Sequence, residues 1–397
     1  MNVRCRGTVT VLVGGYLIVL LVAGLTTAAA TPAVRVLAER YGAVVAPDER
    51  RVHLRPTATL GGLAMYFGFL AGMAVASRLG QFHPVFEGTS EPVGILLGAT
   101  VIFSVGALDD LREVSAPAKV AGMVLAAGVL SLLGVTMLYF RVPFGDYVAL
   151  SPDLAPLITV LWVVGMANAV NLIDGLDGLA AGIVGIAAAA FALYSDRLFD
   201  QGLLPNASNS ISPLIAVIVL GMCVGFLPFN FHPAKIFMGD GGALLLGLLM
   251  ASSTLLVGGQ TAEDTSGSTY FFFAPLFIPF FILGVPILDT AFAIVRRASR
   301  RSAVSVADKE HLHHRLMRLG HGQRRSVLIL WAWTAILSGF ALLPVYTDRA
   351  TGTVPFGVAA LAVALYTVLH PEVRRARAGE GDQLQLDLNG SDAPRPD

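Results

Sequence analysis

Eleven apolar runs divide the chain, at residues 9–30, 60–77, 93–108, 117–138, 156–167, 179–194, 211–228, 243–257, 271–295, 326–345 and 354–369. Each is long enough, or nearly so, for a helix to cross a hydrocarbon layer about 30 Å thick. The pattern predicts an all-α, polytopic integral membrane protein of about eleven transmembrane helices, forming a single domain over residues 1–370. The tail 371–397 is rich in Gly, Asp, Pro and Arg and reads as disordered. The first run needs a decision. Arg4 and Arg6, the apolar stretch and Ala28-Ala-Ala30 have the look of a cleavable signal peptide. The run is nevertheless long enough to span, and more charge follows it than precedes it, so it is read as the first span.

The polar positions between the runs are distributed unequally. Loops that follow odd-numbered runs hold 21 of the 27 Lys and Arg, and residues 296–326 alone hold nine. Basic loops stay in the cytoplasm, which puts the N-terminus outside and the C-terminus and tail in the cytoplasm. Loops at about 31–59, 109–116, 168–178, 228–242 and 296–325 then face the cytoplasm. Cleavage of the first run would invert the count, a further reason to keep it.

Composition agrees. The chain has 397 residues, 55% of them hydrophobic and 14% charged, with a mean hydropathy of +0.70, which excludes an ordinary soluble domain. A formal net charge of zero gives no electrostatic case for nucleic acid. Cys5 and Cys223 lie far apart and outside any CxxC pattern, so no disulfide or zinc framework is expected.

Every polar cluster with chemical potential falls on the basic side. Asn168, Asn171, Asp174 and Asp177 are spaced by threes, with Gly175 and Gly178 beside the carboxylates. Such spacing sets neighbouring pairs on one helical surface, and polar groups at a membrane boundary are costly and rarely idle. Asp109-Asp110 ends the third run. Adjacent carboxylates suit Mg²⁺ shared with a diphosphate, or one metal ligand beside one base; an Asp pair is also ordinary at a solvated helix end. Lys119 reads equally as a phosphate contact or an interfacial anchor. Phe237-Met-Gly239-Asp240-Gly241-Gly242 sets an Asp in a glycine-rich turn whose amides can approach an anion while Asp240 offers oxygen to a hard cation. His311-Leu-His313-His314-Arg315 lacks the cysteines and the His pair at i, i+4 that zinc would need, and reads as a loop contacting phosphate or sugar. His53, with Arg50, Arg51 and Arg55, reads as further phosphate contacts or as topogenic charge. Several loops on one face imply a cytoplasmic active site assembled from all of them.

Together, Thr57-Ala-Thr-Leu-Gly61-Gly62, Asp109-Asp110, the 168–178 stretch, Phe237-Met-Gly239-Asp240 and His311-Leu-His313-His314 resemble the polyprenyl-phosphate N-acetylhexosamine-1-phosphate transferases over residues 30–330. Asp308-Lys-Glu-His311-Leu-His313-His314-Arg315 is similar to the N-acetylglucosamine branch, most of all its actinobacterial decaprenyl-phosphate members. The muramoyl-pentapeptide branch carries three consecutive histidines instead. The resemblance implies a bacterial plasma-membrane enzyme that joins N-acetylglucosamine-1-phosphate from UDP-GlcNAc to a polyprenyl phosphate carrier, with Mg²⁺ or Mn²⁺ as cofactor; a homodimer is compatible with it. It also implies roles. Asp240 is the principal metal ligand, Asp109 helps hold the metal, and Asp110 is the base or nucleophile. Asp174 and Phe237 hold the uracil ring, Asn168 and Asn171 contact phosphate or sugar, and Asp177 supports catalysis. His311, His313, His314 and Arg315 cover the diphosphate and the amino sugar; Lys119 joins these substrate contacts on its position in the sequence alone. Two features depart from the family pattern: Gly241-Gly242 stands where a small residue, Gly, then Ser is usual, leaving no hydroxyl there, and Glu113 takes the third acidic position of what is in some members a DDxxD run. The 168–178 stretch, at first sight a metal site by carboxylate count, becomes the nucleotide and sugar side.

Rival readings are a phospho-N-acetylmuramoyl-pentapeptide transferase, an intramembrane aromatic prenyltransferase and a transporter or flippase. The prenyltransferase needs a second Asp-rich run and has no use for the histidine loop. A transporter places ionisable groups near mid-membrane, often in paired repeats, whereas these carboxylates sit at the ends of runs.

Overall fold

The computed structural model describes residues 3–45, 56–112, 114–141, 147–200, 210–258, 322–346 and 354–369. They form eleven α-helices: α1 (Val3–Arg40), α2 (Gly61–Ala76), α3 (His83–Glu87), α4 (Glu91–Arg112), α5 (Ala116–Leu132), α6 (Leu154–Ile173), α7 (Leu179–Asp200), α8 (Ser212–Asn230), α9 (Gly239–Gly258), α10 (Gln323–Tyr346) and α11 (Val354–Leu369). The protein is mostly helical and polytopic. Seven of these helices are long and apolar enough to cross a membrane: α1, α4, α6, α7, α8, α9 and α10. An eighth span results if α2 is joined to the bent Gly80–Glu87 pair that follows it.

Ten of the eleven apolar runs thus coincide with helices, and the run at 271–295 lies outside the described residues. Five boundaries differ from the sequence reading. The second run ends in a 90° bend before Gly80–Glu87. The fourth stops being helical at Leu132; Gly134, at φ +99°, turns the chain towards a short hairpin of Tyr139–Arg141 with Tyr147–Ala149. α4 continues to Arg112 and α6 to Ile173, so Asp109, Asp110, Asn168 and Asn171 are helical rather than in loops. α9 opens at Gly239, so Asp240 belongs to its first turn. The physical reason is common to these last three: each helix carries its polar site residues on its terminal turn, and an apolar window cannot see them.

α9 is the axis of the fold. Residues 241–257 are all buried, and α2, α4, α6 and α8 pack around them. Outside this ring, α1 packs on α2 and α8, α5 bridges α4 and α6, and α7 joins α8 to α10. Helices in lipid gain little from hiding apolar surface from one another, so close backbone approach through small residues sets the packing. A Cβ on Gly225 of α8 would lie 2.1 Å from the Gly24 carbonyl of α1, and one on Gly247 of α9 would lie 2.5 Å from Ala167 Cα of α6. The approach that bears on the site is at the start of α9. There a Cβ on Gly62 would meet the Gly242 nitrogen at 2.2 Å, and one on Gly106 would meet Gly241 Cα at 2.6 Å.

Candidate active site

One end of the bundle gathers the C-terminal turns of α4 and α6, the first turns of α5 and α9, and the loops before α7 and α9. The connection from α4 to α5 is short. Asp109 Oδ1 accepts the Val114 N–H at 2.7 Å, which folds the chain back, and Pro117 starts α5 without wasting an amide. Lys119 is thereby returned beside Asp109.

Lys119 is the hub of a charged node. Its ammonium lies 2.7 Å from Asp109 Oδ2 and also bonds Asp240 Oδ2 of α9. Asn171 Nδ2 of α6 donates to Asp240 Oδ1 at 2.8 Å. Four helices therefore meet through side chains that are 17–27% exposed at the three charged positions. Two carboxylates converging on one cation, with a carboxamide fixing the second oxygen of one of them, is a hard-oxygen environment for positive charge.

Asp110, on the next position of α4, turns the other way. Its Oδ1 accepts the Asp240 N–H at 2.8 Å and its Oδ2 the Gly241 N–H at 3.1 Å. These are first-turn amides of α9, which have no partner within their own helix. Gly239 precedes them at φ +68°, and a Cβ there would lie 2.4 Å from Asp110 Oδ2. Only glycine meets both conditions.

Asp177 organises the loop side. Its Oδ2 accepts the Ala234 N–H at 3.0 Å and lies 2.7 Å from His232 Nδ1. Buried Asn230 works both ways, accepting from the Gly178 N–H at 3.0 Å and donating to the Ile236 carbonyl at 3.1 Å. Arg324, at the start of α10, donates to the His232 carbonyl at 3.1 Å. The chain then pairs with the segment before α2: Phe237 N–H to Ala58 O at 2.9 Å, Gly61 N–H to Phe237 O at 2.9 Å, and Gly62 N–H to Met238 O at 2.8 Å. The Thr57-Ala-Thr-Leu-Gly61-Gly62 motif is therefore a backbone brace for the turn carrying Phe237 and Asp240. Leu60 sits within it at φ +78°, a conformation costing a non-glycine residue roughly 1–3 kcal/mol, which the brace holds in place.

Asp174 caps the C-terminus of α6 and is half-buried. Burial pushes its carboxyl well above the usual carboxylate range, and the negative charges of Asp240, Asp110 and Asp177 add to the shift. Its N–H bonds the Asn171 carbonyl at 3.3 Å, while its carboxyl has no hydrogen-bond partner among the described residues.

The structure thus brings together Asp109, Asp110, Lys119, Asn171, Asp174, Asp177, Phe237 and Asp240. Asn168, one turn back on α6, bonds the Val164 carbonyl at 2.8 Å and Met123 Sδ at 3.4 Å instead. His311, His313, His314 and Arg315 lie outside the described residues, as do His53, Glu113 and the tail. Sequence reasoning missed His232, Asn230 and Arg324 as partners, since contacts across 52 to 92 positions leave no local signal. Gly242 is itself closely packed: a Cβ there would lie 2.9 Å from Met238 Cβ and 3.0 Å from Gly62 Cα.

For a divalent cation, no three His, Cys, Asp or Glu side chains among the described residues converge to hold it unaided. Mg²⁺ is usually held by one or two carboxylates with substrate phosphates completing the shell. Asp109 and Asp240, which meet on the cationic head of Lys119, are the carboxylates that could supply such a site.

Residues 92–258 match the model of the glycosyl transferase family 4. A decaprenyl-phosphate N-acetylglucosaminephosphotransferase of Mycolicibacterium smegmatis is 37% identical over 367 residues, covering 90% of this chain and 89% of its own. One from Mycobacterium leprae is 38% identical, covering 89% and 90%. A probable undecaprenyl-phosphate N-acetylglucosaminyl 1-phosphate transferase of Bacillus subtilis is 36% identical over 80% of this chain and 82% of its own. Similarity to a phospho-N-acetylmuramoyl-pentapeptide-transferase of Desulforudis audaxviator is lower, 32% over 76% of this chain. With such identity along nearly its whole length to N-acetylglucosamine phosphotransferases, the chain belongs to glycosyl transferase family 4.

Proposed function

We propose that this enzyme transfers N-acetylglucosamine-1-phosphate from UDP-GlcNAc to a polyprenyl phosphate, decaprenyl phosphate first among them, in the bacterial plasma membrane. The products are polyprenyl-diphosphate-GlcNAc and UMP, which makes this the first membrane step of a cell-wall or surface polysaccharide. In the reaction an oxygen of the lipid phosphate forms a bond to the β-phosphorus of UDP-GlcNAc. The bond from that phosphorus to the bridging oxygen breaks, and UMP leaves. Transfer of this kind depends mainly on positioning and charge neutralisation.

The observation that carries the reading is the convergence of Asp109 and Asp240, from α4 and α9, on one cationic centre at the end of the spans. Mg²⁺ or Mn²⁺ held there by Asp240 and Asp109 would neutralise diphosphate charge. Asn171 fixes the free Asp240 oxygen in place. Lys119 becomes available to phosphate once a stronger cation satisfies the carboxylates. Asp174 and Phe237 take the uracil ring, Asp177 supports the loop beside it, and Asn168 and the 311–315 loop complete the sugar and phosphate contacts. The distribution of basic residues supports a cytoplasmic site, N-terminus outside and C-terminus inside, where UDP-GlcNAc and the lipid phosphate headgroup meet.

The test is direct. Purified protein with Mg²⁺, UDP-GlcNAc and decaprenyl phosphate releases UMP; no release would overturn the reading. UDP-MurNAc-pentapeptide assayed in parallel serves as the control for the pentapeptide transferase.

A further inference from the structure

Asp109 and Asp110 are neighbours in sequence but not in duty. About 100° of helical turn separates them, and they face different partners: Asp109 the Lys119 ammonium, Asp110 the backbone of α9. We propose that Asp110 is a positioning residue, a helix cap supplied from 130 positions away that holds the first turn of α9 and so aims Asp240 at the cation site, rather than the proton acceptor of the reaction. The cap stands on geometry alone; its consequence for turnover rests on the function proposed above.

Three observations support it. First, both oxygens of the carboxylate are engaged, each by a different α9 amide, and one of those amides is that of Asp240 itself. Anions are favoured at a helix N-terminus because unpaired amides and the helix dipole both point there. Second, the surroundings are shaped for this contact. Gly239 leaves room for the carboxylate at the one point where a Cβ would displace it, and Gly106, one turn earlier on α4, lets the helix backbones touch at Gly241. Third, a general base must present a lone pair towards the proton it removes and give up its charge on taking it. Each oxygen of Asp110 has a second lone pair, yet protonation would discharge the anion that secures two helix amides during turnover.

The experiment uses the full chain in detergent, as wild type, Asp110→Asn and Asp109→Asn. Mn²⁺ binding without substrate is followed by electron paramagnetic resonance, alongside Tm and the pH profile of UMP release. In Asp110→Asn the carboxamide oxygen accepts one amide and its NH₂ opposes the other. The expected result is a Tm lowered by about 2 °C or more and a Mn²⁺ Kd weakened about tenfold, the usual size of losing an outer partner of a metal ligand. Residual turnover keeps the wild-type pH profile. Asp110→Asn with wild-type Tm and Mn²⁺ affinity, but turnover lost along with its alkaline-rising limb, would assign the proton to Asp110 and overturn the proposal. Should Asp110→Asn not fold, Gly239→Ala, which keeps the carboxylate and pushes it off the amides, must show the same weakening of Mn²⁺ binding; normal binding there overturns the proposal. A wild-type protein that binds no Mn²⁺ and releases no UMP would sink the function proposed above instead, and the Tm shift alone would then decide the cap.

Discussion

Lys119 holds the charge balance of the resting site, because Asp109 and Asp240 share its ammonium and are only partly screened by solvent. Removing one partner of a buried charge pair costs about 3–5 kcal/mol; the partial exposure here reduces this to about 1–2 kcal/mol. We predict that Lys119→Gln lowers the Tm of metal-free protein and that added Mg²⁺ restores more Tm than it adds to wild type, as a thermal-shift titration measures. Equal Mg²⁺ gains in the two proteins would place the cation elsewhere. Asp174 gives a pH prediction. Its carboxyl is held well above the ordinary range in the folded protein, chiefly by burial. The folded state therefore binds the proton more tightly than the unfolded state, and stability falls as pH rises above about 4, the unfolded value. Asp174→Asn is expected to raise the Tm of the metal- and nucleotide-free protein at neutral pH and to flatten its decline between pH 5 and 8. A Tm that tracks wild type across that interval would contradict the assignment. Residue chemistry was legible where it was local: Asp109, Asp110, Asp240 and the three-residue spacing from Asn171 to Asp177 all stood out. The division of labour within Asp109-Asp110 was not, since it depends on which helix each side chain faces.

At the scale of elements, the site exists because α9 can approach α2 and α4 at backbone distance. Gly62, Gly106, Gly241 and Gly242 form that contact, and the nearest atoms that a Cβ at Gly62 or Gly106 would meet are backbone atoms of α9, which cannot swing aside. Overpacking a tight contact costs about 1–3 kcal/mol. Gly62→Ala is therefore predicted to lower Tm by a few degrees and to cut UMP release at least tenfold, because the methyl group pushes on the turn that carries Asp240. An alanine variant with wild-type Tm and turnover would show that α2 yields at no cost. The glycine pair at Gly61-Gly62 was visible as a motif, but its function was not. A backbone brace joining residues 58–62 to 236–238 is written in amides and carbonyls, which every residue possesses.

For the whole molecule, the apolar runs foretold the helices and went wrong where a helix carried polar groups on its last turn or where Gly134 ended one early. Periodicity reports what faces lipid or protein, not where backbone hydrogen bonding stops. The charge distribution makes a separate claim about orientation, which labelling can check. In a background with Cys5 and Cys223 replaced by alanine, Thr89→Cys lies beyond α3 and Ser115→Cys between α4 and α5, both at positions open to solvent. A membrane-impermeant maleimide applied to intact cells should label Thr89→Cys at once and Ser115→Cys only after permeabilisation. The reverse order would invert the topology and remove the site from the cytoplasm. The central claim is that the node of Asp109, Lys119, Asn171 and Asp240 serves transfer of a sugar phosphate to a lipid phosphate. Its most direct test is UMP release by the purified protein from UDP-GlcNAc with decaprenyl phosphate and Mg²⁺, beside UDP-MurNAc-pentapeptide. We predict UMP from UDP-GlcNAc, dependent on lipid and metal, and none from the pentapeptide donor; release from the pentapeptide donor alone, or from neither, would contradict the account.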